Sequence, residues 1–143
     1  MGEEKKSMAE RDYGHRDVVD KLNILPGYAI VFAFEAGEID PALRQRILGR
    51  AGRPPAAEDE AADVVLASVD DTTDVIEVLQ RWRPQLKPAG SIWLLTTKRG
   101  QPGYVDQREL IAAGLQAGVV DNKVCSVSPT VSAMRVVIRK KDR

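Results

Sequence analysis

The chain has 143 residues, with 21 Lys plus Arg against 21 Asp plus Glu, so its formal net charge is zero. Apolar residues make up 43% and charged residues 29%, which excludes collagen-like, disulfide-scaffold and wholly disordered classes. A chain of this length buries about 68–70% of the surface its unfolded form exposes, enough for one unstapled domain, and the lack of a basic excess argues against a dedicated nucleic-acid binder.

One cysteine, Cys125, leaves no partner for an intrachain disulfide. With a single histidine, His15, there is no Cys/His cluster for zinc. The first apolar stretch, Ile24 to Phe34, is interrupted by Pro26 and Gly27 and falls well short of the roughly eighteen residues a membrane helix needs. The start, Met1 to Arg16, is charged and lacks the apolar core of a signal peptide. A cytoplasmic location without membrane attachment is expected.

Residues 1–14 read as a flexible tail, 15–140 as a single domain and 141–143 as a basic end. Val18, Val19 and Leu22 share a helical face, which predicts a short helix from Arg16 to near Asn23. After the Pro26-Gly27 turn, Tyr28 to Phe34 is nearly all apolar, the pattern of a strand buried on both faces. Asp40-Pro41 opens a helix, with Leu43, Ile47 and Ala51 inward and Arg44, Arg46, Arg50 and Arg53 on a solvated face. Gly52 to Ala61, with Pro54, Pro55, Glu58, Asp59 and Glu60, is a loop.

Ala62 to Val69 is a second buried strand. Asp70 to Thr73 turns into a helix that carries Val75, Val78, Leu79 and Trp82 at i, i+3, i+4 and i+7, and Pro84 closes it. Leu86 to Gly90 is a turn, Ser91 to Thr97 a third strand, and Lys98 to Gly103 a basic loop. Asp106 with Glu109 starts a helix that Gly118 ends. Val119 to Val127 holds a fourth strand and Ser132 to Arg139 the fifth, with Met134, Val136 and Ile138 on one face and Ala133, Arg135 and Val137 on the other. This alternation predicts an α/β, Rossmann-like three-layer sandwich: about five mostly parallel strands, right-handed crossovers and a C-terminal antiparallel hairpin.

The apolar first strand, the strand ending before Asp70, the turn and strand Leu86-Lys-Pro-Ala-Gly-Ser-Ile-Trp-Leu94 and the closing hairpin resemble the class I S-adenosylmethionine-dependent methyltransferase fold. Gly118-Val-Val-Asp-Asn-Lys-Val-Cys-Ser126, with Met134-Arg-Val-Val-Ile-Arg139, resembles an uncharacterised bacterial family, the domain of unknown function family 3052, over roughly residues 13 to 140. The methyltransferase resemblance implies a Gly-rich turn after the first strand and a ribose-holding acid at the end of the second. Here the first turn, Phe34 to Asp40, keeps one glycine, Gly37. Gly37 to Ala62 has room for one helix and a loop, so the second and third strands of the larger fold are expected to be missing. The cofactor expectation is therefore none, with S-adenosylmethionine considered and disfavoured.

Ligands of open parallel sheets bind outside the carboxyl ends of the strands. The candidates there are Glu35 and Gly37, then Asp70 and Asp71, then Thr97 and Lys98. Asn122 and Lys123, on the fourth strand, form a further candidate contact, although an outer strand also uses Lys against edge pairing. Cys125 is expected to be a buried, inert side chain, and no Ser/His/Asp elbow or phosphate loop is present. The sequence therefore favours a non-catalytic binding or regulatory module and leans away from an enzyme. The alternative is an enzyme or sensor taking a small anionic or nucleotide-like ligand, a degenerate S-adenosylmethionine-type site included. A pocket joining Glu35, Asp70 and Lys98 would speak for the alternative. The unguarded first strand points to a homodimer or a protein partner through the sheet edge, unless Gly52 to Ala61 covers it.

Overall fold

The computed structural model describes residues 17–143. The expected tail over 1–14, His15 and a helix start at Arg16 lie outside the described residues. Five strands form one sheet in the order β1-β2-β3-β5-β4: β1 Ile30–Ala33, β2 Ala62–Ser68, β3 Leu86–Thr97, β4 Val119–Ser126 and β5 Val131–Ile138. Strands β1, β2 and β3 are parallel neighbours, and β5 runs antiparallel to both β3 and β4. The helices are α1 Val18–Lys21, α2 Pro41–Ala51, α3 Val75–Trp82 and α4 Gln107–Ala117. None of the helices among the described residues is long and apolar enough to cross a membrane.

Each helix start is set by a carboxylate that takes an orphan backbone N–H. Asp17 accepts from Val19, Asp40 from Ala42, Asp74 from Glu77 and Asp106 from Arg108. The cap of α3 is thus Asp74, not the Asp70–Thr73 turn before it. Gly52 and Gly118 end α2 and α4 in the left-handed conformation, at φ 71° and 87°.

Strand alternation divides the core between the two faces of the sheet. On one face Val65, Ala67, Ile92, Leu94, Met134 and Val136 meet Val78 and Leu79 of α3 and Leu110 and Ala117 of α4. On the other, Ile30, Val64, Leu66, Trp93 and Ala133 meet Val18, Val19 and Leu22 of the α1 region and Leu43, Ile47 and Ala51 of α2. Trp93 is fully buried, and its Nε1 donates to the Leu22 carbonyl at 3.1 Å.

These faces give the crossovers different hands. From β1 to β2, β2 to β3 and β3 to β4 the chain moves in one direction across the sheet. Helices α3 and α4 lie on one face and α2 on the other. Two crossovers therefore share a hand and the third is their mirror. Right-handed crossovers are nearly universal, so β1–α2–β2 is the left-handed one. That corrects the expectation of uniformly right-handed connections. On its face, α2 is placed for a right-handed crossover to a strand on the outer side of β1, where the sheet has none among the described residues.

Two strand limits also differ from expectation. β1 has four residues, and Val31 and Phe32 are half-buried, because a strand with a single neighbour leaves one side open. β3 starts at Leu86, within the expected turn: Leu86 pairs with Ala62 and Ser91 with Val64, while Lys87, Pro88 and Ala89 bulge outward, exposed.

Candidate functional site

The carboxyl ends of β2 and β3 and the turn after β1 open into a cleft of about 540 Å3. Its apolar wall is Val18, Ile39, Leu43, Leu95, Val127 and Val131; Glu38, Asp40, Asp70 and Asp71 bring negative charge, and Arg46 is the one cation among the described residues of the lining. Arg46 is ion-paired with Asp17 and Glu38 with Arg44, at 3.3 Å, so the acid excess of the cleft rests on Asp40, Asp70 and Asp71.

Three connections hold this mouth open. Ser68, the last residue of β2, donates its hydroxyl to the Gly37 carbonyl at 2.8 Å and accepts from the Ala36 N–H at 3.3 Å. Gly37 has φ 114°, a conformation L side chains rarely adopt, so the turn after β1 needs glycine there. The Thr97 hydroxyl donates to the Pro102 carbonyl at 2.8 Å, and the Asp71 N–H to the Gly103 carbonyl at 3.1 Å. A Cβ on Gly103 would approach that of Asp70 to 3.2 Å, so the Lys98–Gly103 loop sits close against the Asp70 turn.

Asp70 is held from its own turn. Its Oδ1 accepts from the Thr72 hydroxyl at 2.7 Å, the Thr72 N–H at 2.9 Å and the Thr73 hydroxyl at 3.0 Å. The Thr72 hydroxyl, first among these donors, lowers its pKa below the ordinary carboxylate value. It is therefore a fixed anion and a hydrogen-bond acceptor near neutral pH, not a proton carrier. Among the described residues the cleft lining includes neither His nor Cys. Among the described residues no group of three or more His, Cys, Asp or Glu side chains is placed to hold a metal ion.

The predicted ligand residues divide into four groups. Asp70, Asp71 and Thr97 line the cleft, and Gly37 shapes it through its carbonyl without lining it. Glu35 points away: both of its oxygens accept from Arg81 at 2.7 Å, and one also from Trp82 Nε1 at 2.9 Å. The Arg81 bond, first, holds the Glu35 carboxyl below its usual range. Lys98 lines an adjoining hollow and donates to the Ser126 hydroxyl at 2.6 Å. Asn122 and Lys123 lie on the edge strand β4 and line neither; Lys123 Nζ donates to the Lys21 carbonyl at 2.8 Å. The expected meeting of Glu35, Asp70 and Lys98 in one pocket does not form.

Sequence reasoning missed Ser68, Glu38, Asp40, Arg46 and Ser128. Ser68 was findable, since it ends a strand of the parallel sheet. Cys125 is half-buried in the α1 side of the core, where full burial was expected, while Val124 faces the opposite way and is 43% exposed.

The model of a family described as "Protein of unknown function (DUF3052)" matches residues 19–140. A search of curated proteins gives no match. Among solved structures the chain is similar to a SAM-dependent methyltransferase from Aquifex aeolicus, at 12% identity and TM-score 0.56, covering 85% of this chain and 88% of that one. It is similar to a TehB-like SAM-dependent methyltransferase from Corynebacterium glutamicum, at 8% identity and TM-score 0.53, covering 96% and 97%. It is also similar to Aeropyrum pernix fibrillarin with natively bound S-adenosyl-L-methionine, at 15% identity and TM-score 0.50, covering 80% and 68%. At such identities the likeness shows the fold alone, a Rossmann-like, methyltransferase-like sheet. With the family model matched over most of its length, the chain belongs to the DUF3052 family of proteins of unknown function.

Proposed function

We propose that this protein is a non-catalytic binding module whose main cleft takes a neutral or cationic small molecule. The cleft itself carries this reading: an apolar wall beside Asp40, Asp70 and Asp71, with Arg46 paired to Asp17 and Glu38 to Arg44. A concave, largely apolar site with a few converging polar groups is the usual form of a small-molecule site. Ligand hydroxyls or amines would donate to Asp70, which Thr72 and Thr73 keep ionised and in place. The acid excess favours such ligands over the anionic class expected from the sequence. Among the described residues the cleft lining sets no His, Cys or Lys beside its carboxylates, which is why the reading stays with binding.

S-adenosylmethionine, which the fold family implies, does not fit this residue set. Its ribose would call for an acid at the end of a strand on the outer side of β1, and among the described residues β1 pairs with β2 alone.

The test is a thermal-shift screen with nucleosides, amines, nucleotides, S-adenosylmethionine and S-adenosylhomocysteine. A ligand of the native state at a hundred times its Kd adds about 2.7 kcal/mol of stability. A neutral or cationic compound other than S-adenosylmethionine should raise Tm, and Ala42→Trp, on the exposed start of α2 at the cleft wall, should abolish the rise. A rise that survives Ala42→Trp, or the lack of any rise across the panel, overturns the reading.

A further inference from the structure

Beside the main cleft, the end of β3 and the start of α4 enclose a second hollow of about 470 Å3. It shares Thr96 and Thr97 with the first cleft and differs from it in charge. Lys98, Arg99 and Arg108 line it against a single acid, Asp106, in a chain whose net charge is zero. We propose that this hollow binds the phosphate group of a small molecule.

Three features separate these cations from an ordinary solvated loop. First, among the described residues no carboxylate lies within ion-pair distance of Lys98 or Arg99; the nine ion pairs engage other cations. Second, both are held in place. The Lys98 N–H donates to the Thr130 carbonyl at 2.8 Å and its Nζ to the Ser126 hydroxyl at 2.6 Å, which leaves two ammonium hydrogens for a ligand. The Arg99 guanidinium lies over the Tyr104 ring, 5.8 Å from its centroid. Third, the loop that carries them is pre-formed. Gln101 N–H donates to the Lys98 carbonyl and Tyr104 N–H to that of Gln101, with Gly100 and Gly103 at φ 90° and 81°.

The one acid does not cancel this field. Asp106 accepts the Arg108 N–H at 2.8 Å as the cap of α4, and its contact with Arg108 Nε is long, at 3.5 Å. A planar guanidinium beside an ammonium suits an oxyanion with several acceptor oxygens, which charge-assisted hydrogen bonds hold best. Tyr104, the aromatic ring in the lining, already carries Arg99, so the hollow offers no free platform for stacked bases.

This inference is independent of the main cleft, and its experiment uses a probe without apolar groups. Inorganic pyrophosphate is titrated calorimetrically into the full chain at low salt. Binding with Kd below about 1 mM is expected. Arg99→Gln and Lys98→Gln should each weaken it about ten-fold, the loss of one charge-assisted contact. Lys140→Gln, on the exposed C-terminal turn, should leave it unchanged. Ala42→Trp should also leave it unchanged, so that the two readings fail separately. No measurable binding, or equal binding by Arg99→Gln and Lys98→Gln, overturns the proposal. So does an equal loss in Lys140→Gln, or a single-stranded oligonucleotide that binds tighter and weakens equally with every lost cation. Both loop substitutions sit on exposed or half-buried residues, and melting curves check that the variants fold.

Discussion

Glu35 ends up away from the cleft because of strand parity. Val31 and Ala33 pack on the α3 side, so a side chain two residues further on returns to that side and meets Arg81 and Trp82. The alternation was readable in the sequence; which helix would occupy that face was not. Lys98 and Lys123 show the same limit, since their partners, Ser126 and the Lys21 carbonyl, are 28 and 102 residues away. A buried partner makes the clearest residue-scale prediction. Trp93→Phe leaves the Leu22 carbonyl without its donor and should cost about 1–3 kcal/mol, read by denaturant unfolding. Equal stability would show that this bond contributes nothing. Glu60 gives a pH prediction. Hydrogen bonds from Arg53, first, and from the Ala57 N–H hold its pKa down to about 2. The folded value lies below the unfolded one, about 4.3, so its contribution is present above pH 4.3 and is lost as pH falls toward 2. Wild-type Tm should therefore fall more steeply than that of Glu60→Gln across that window. Parallel Tm curves would refute the linkage.

At the scale of elements, the Leu86–Gly90 segment shows turn chemistry inside a strand. Pro88 lacks an N–H and sits where the chain leaves the ladder, which Pro and Gly permit. The sequence signal was sound, but a turn and a bulge use the same residues. Gly90 re-enters the ladder so closely that a Cβ would lie 2.8 Å from the Ala62 carbonyl oxygen and 3.1 Å from that of Asp63. Both are backbone atoms, so Gly90→Ala should destabilise by about 1–3 kcal/mol, as overpacking does. A neutral Tm would mean that β3 shifts freely there. The β1 edge is a second case. The loop after α2 gives its Ala56 N–H to the Ile30 carbonyl at 2.8 Å, and Arg53 clasps Glu60 across that loop at 2.8 Å. One of the two solutions weighed for an unguarded edge is therefore in place at Ile30. Self-pairing through the rest of β1 stays a proposal, supported by the 51% exposure of Phe34 and by the absence of Lys, Pro or charge between Tyr28 and Phe34. Ala56→Pro removes the donor. It should shift sedimentation at micromolar concentration toward dimer, whereas a monomer unchanged on concentration counts against edge pairing.

For the whole molecule, strand count, alternation and terminal hairpin were legible, because each rests on a local pattern of turns and periods. The hand of β1–α2–β2 was not. The stripe Leu43, Ile47 and Ala51 shows that α2 has an inner face, but not which side of the sheet receives it. That side is settled by α1, which packs against the same core and buries Trp93 from the same direction. The left-handed crossover also sharpens the relation to the methyltransferase fold. With α2 on this face, a right-handed path leads outward past β1, where the sheet of the described residues has no strand. What remains is a sheet with its cleft but without the strand end that would hold a ribose on the far side of β1. The turn after β1 carries Glu35, Glu38 and Asp40: Arg81 and Trp82 hold Glu35, Arg44 pairs with Glu38, and Asp40 caps α2. Calorimetry with S-adenosylmethionine should therefore show no binding tighter than about 100 μM, weaker by at least about 2.7 kcal/mol than a 1 μM site. Micromolar affinity that Glu38→Gln abolishes would show that the loop acids replace the missing strand, and it would return the molecule to cofactor-dependent chemistry.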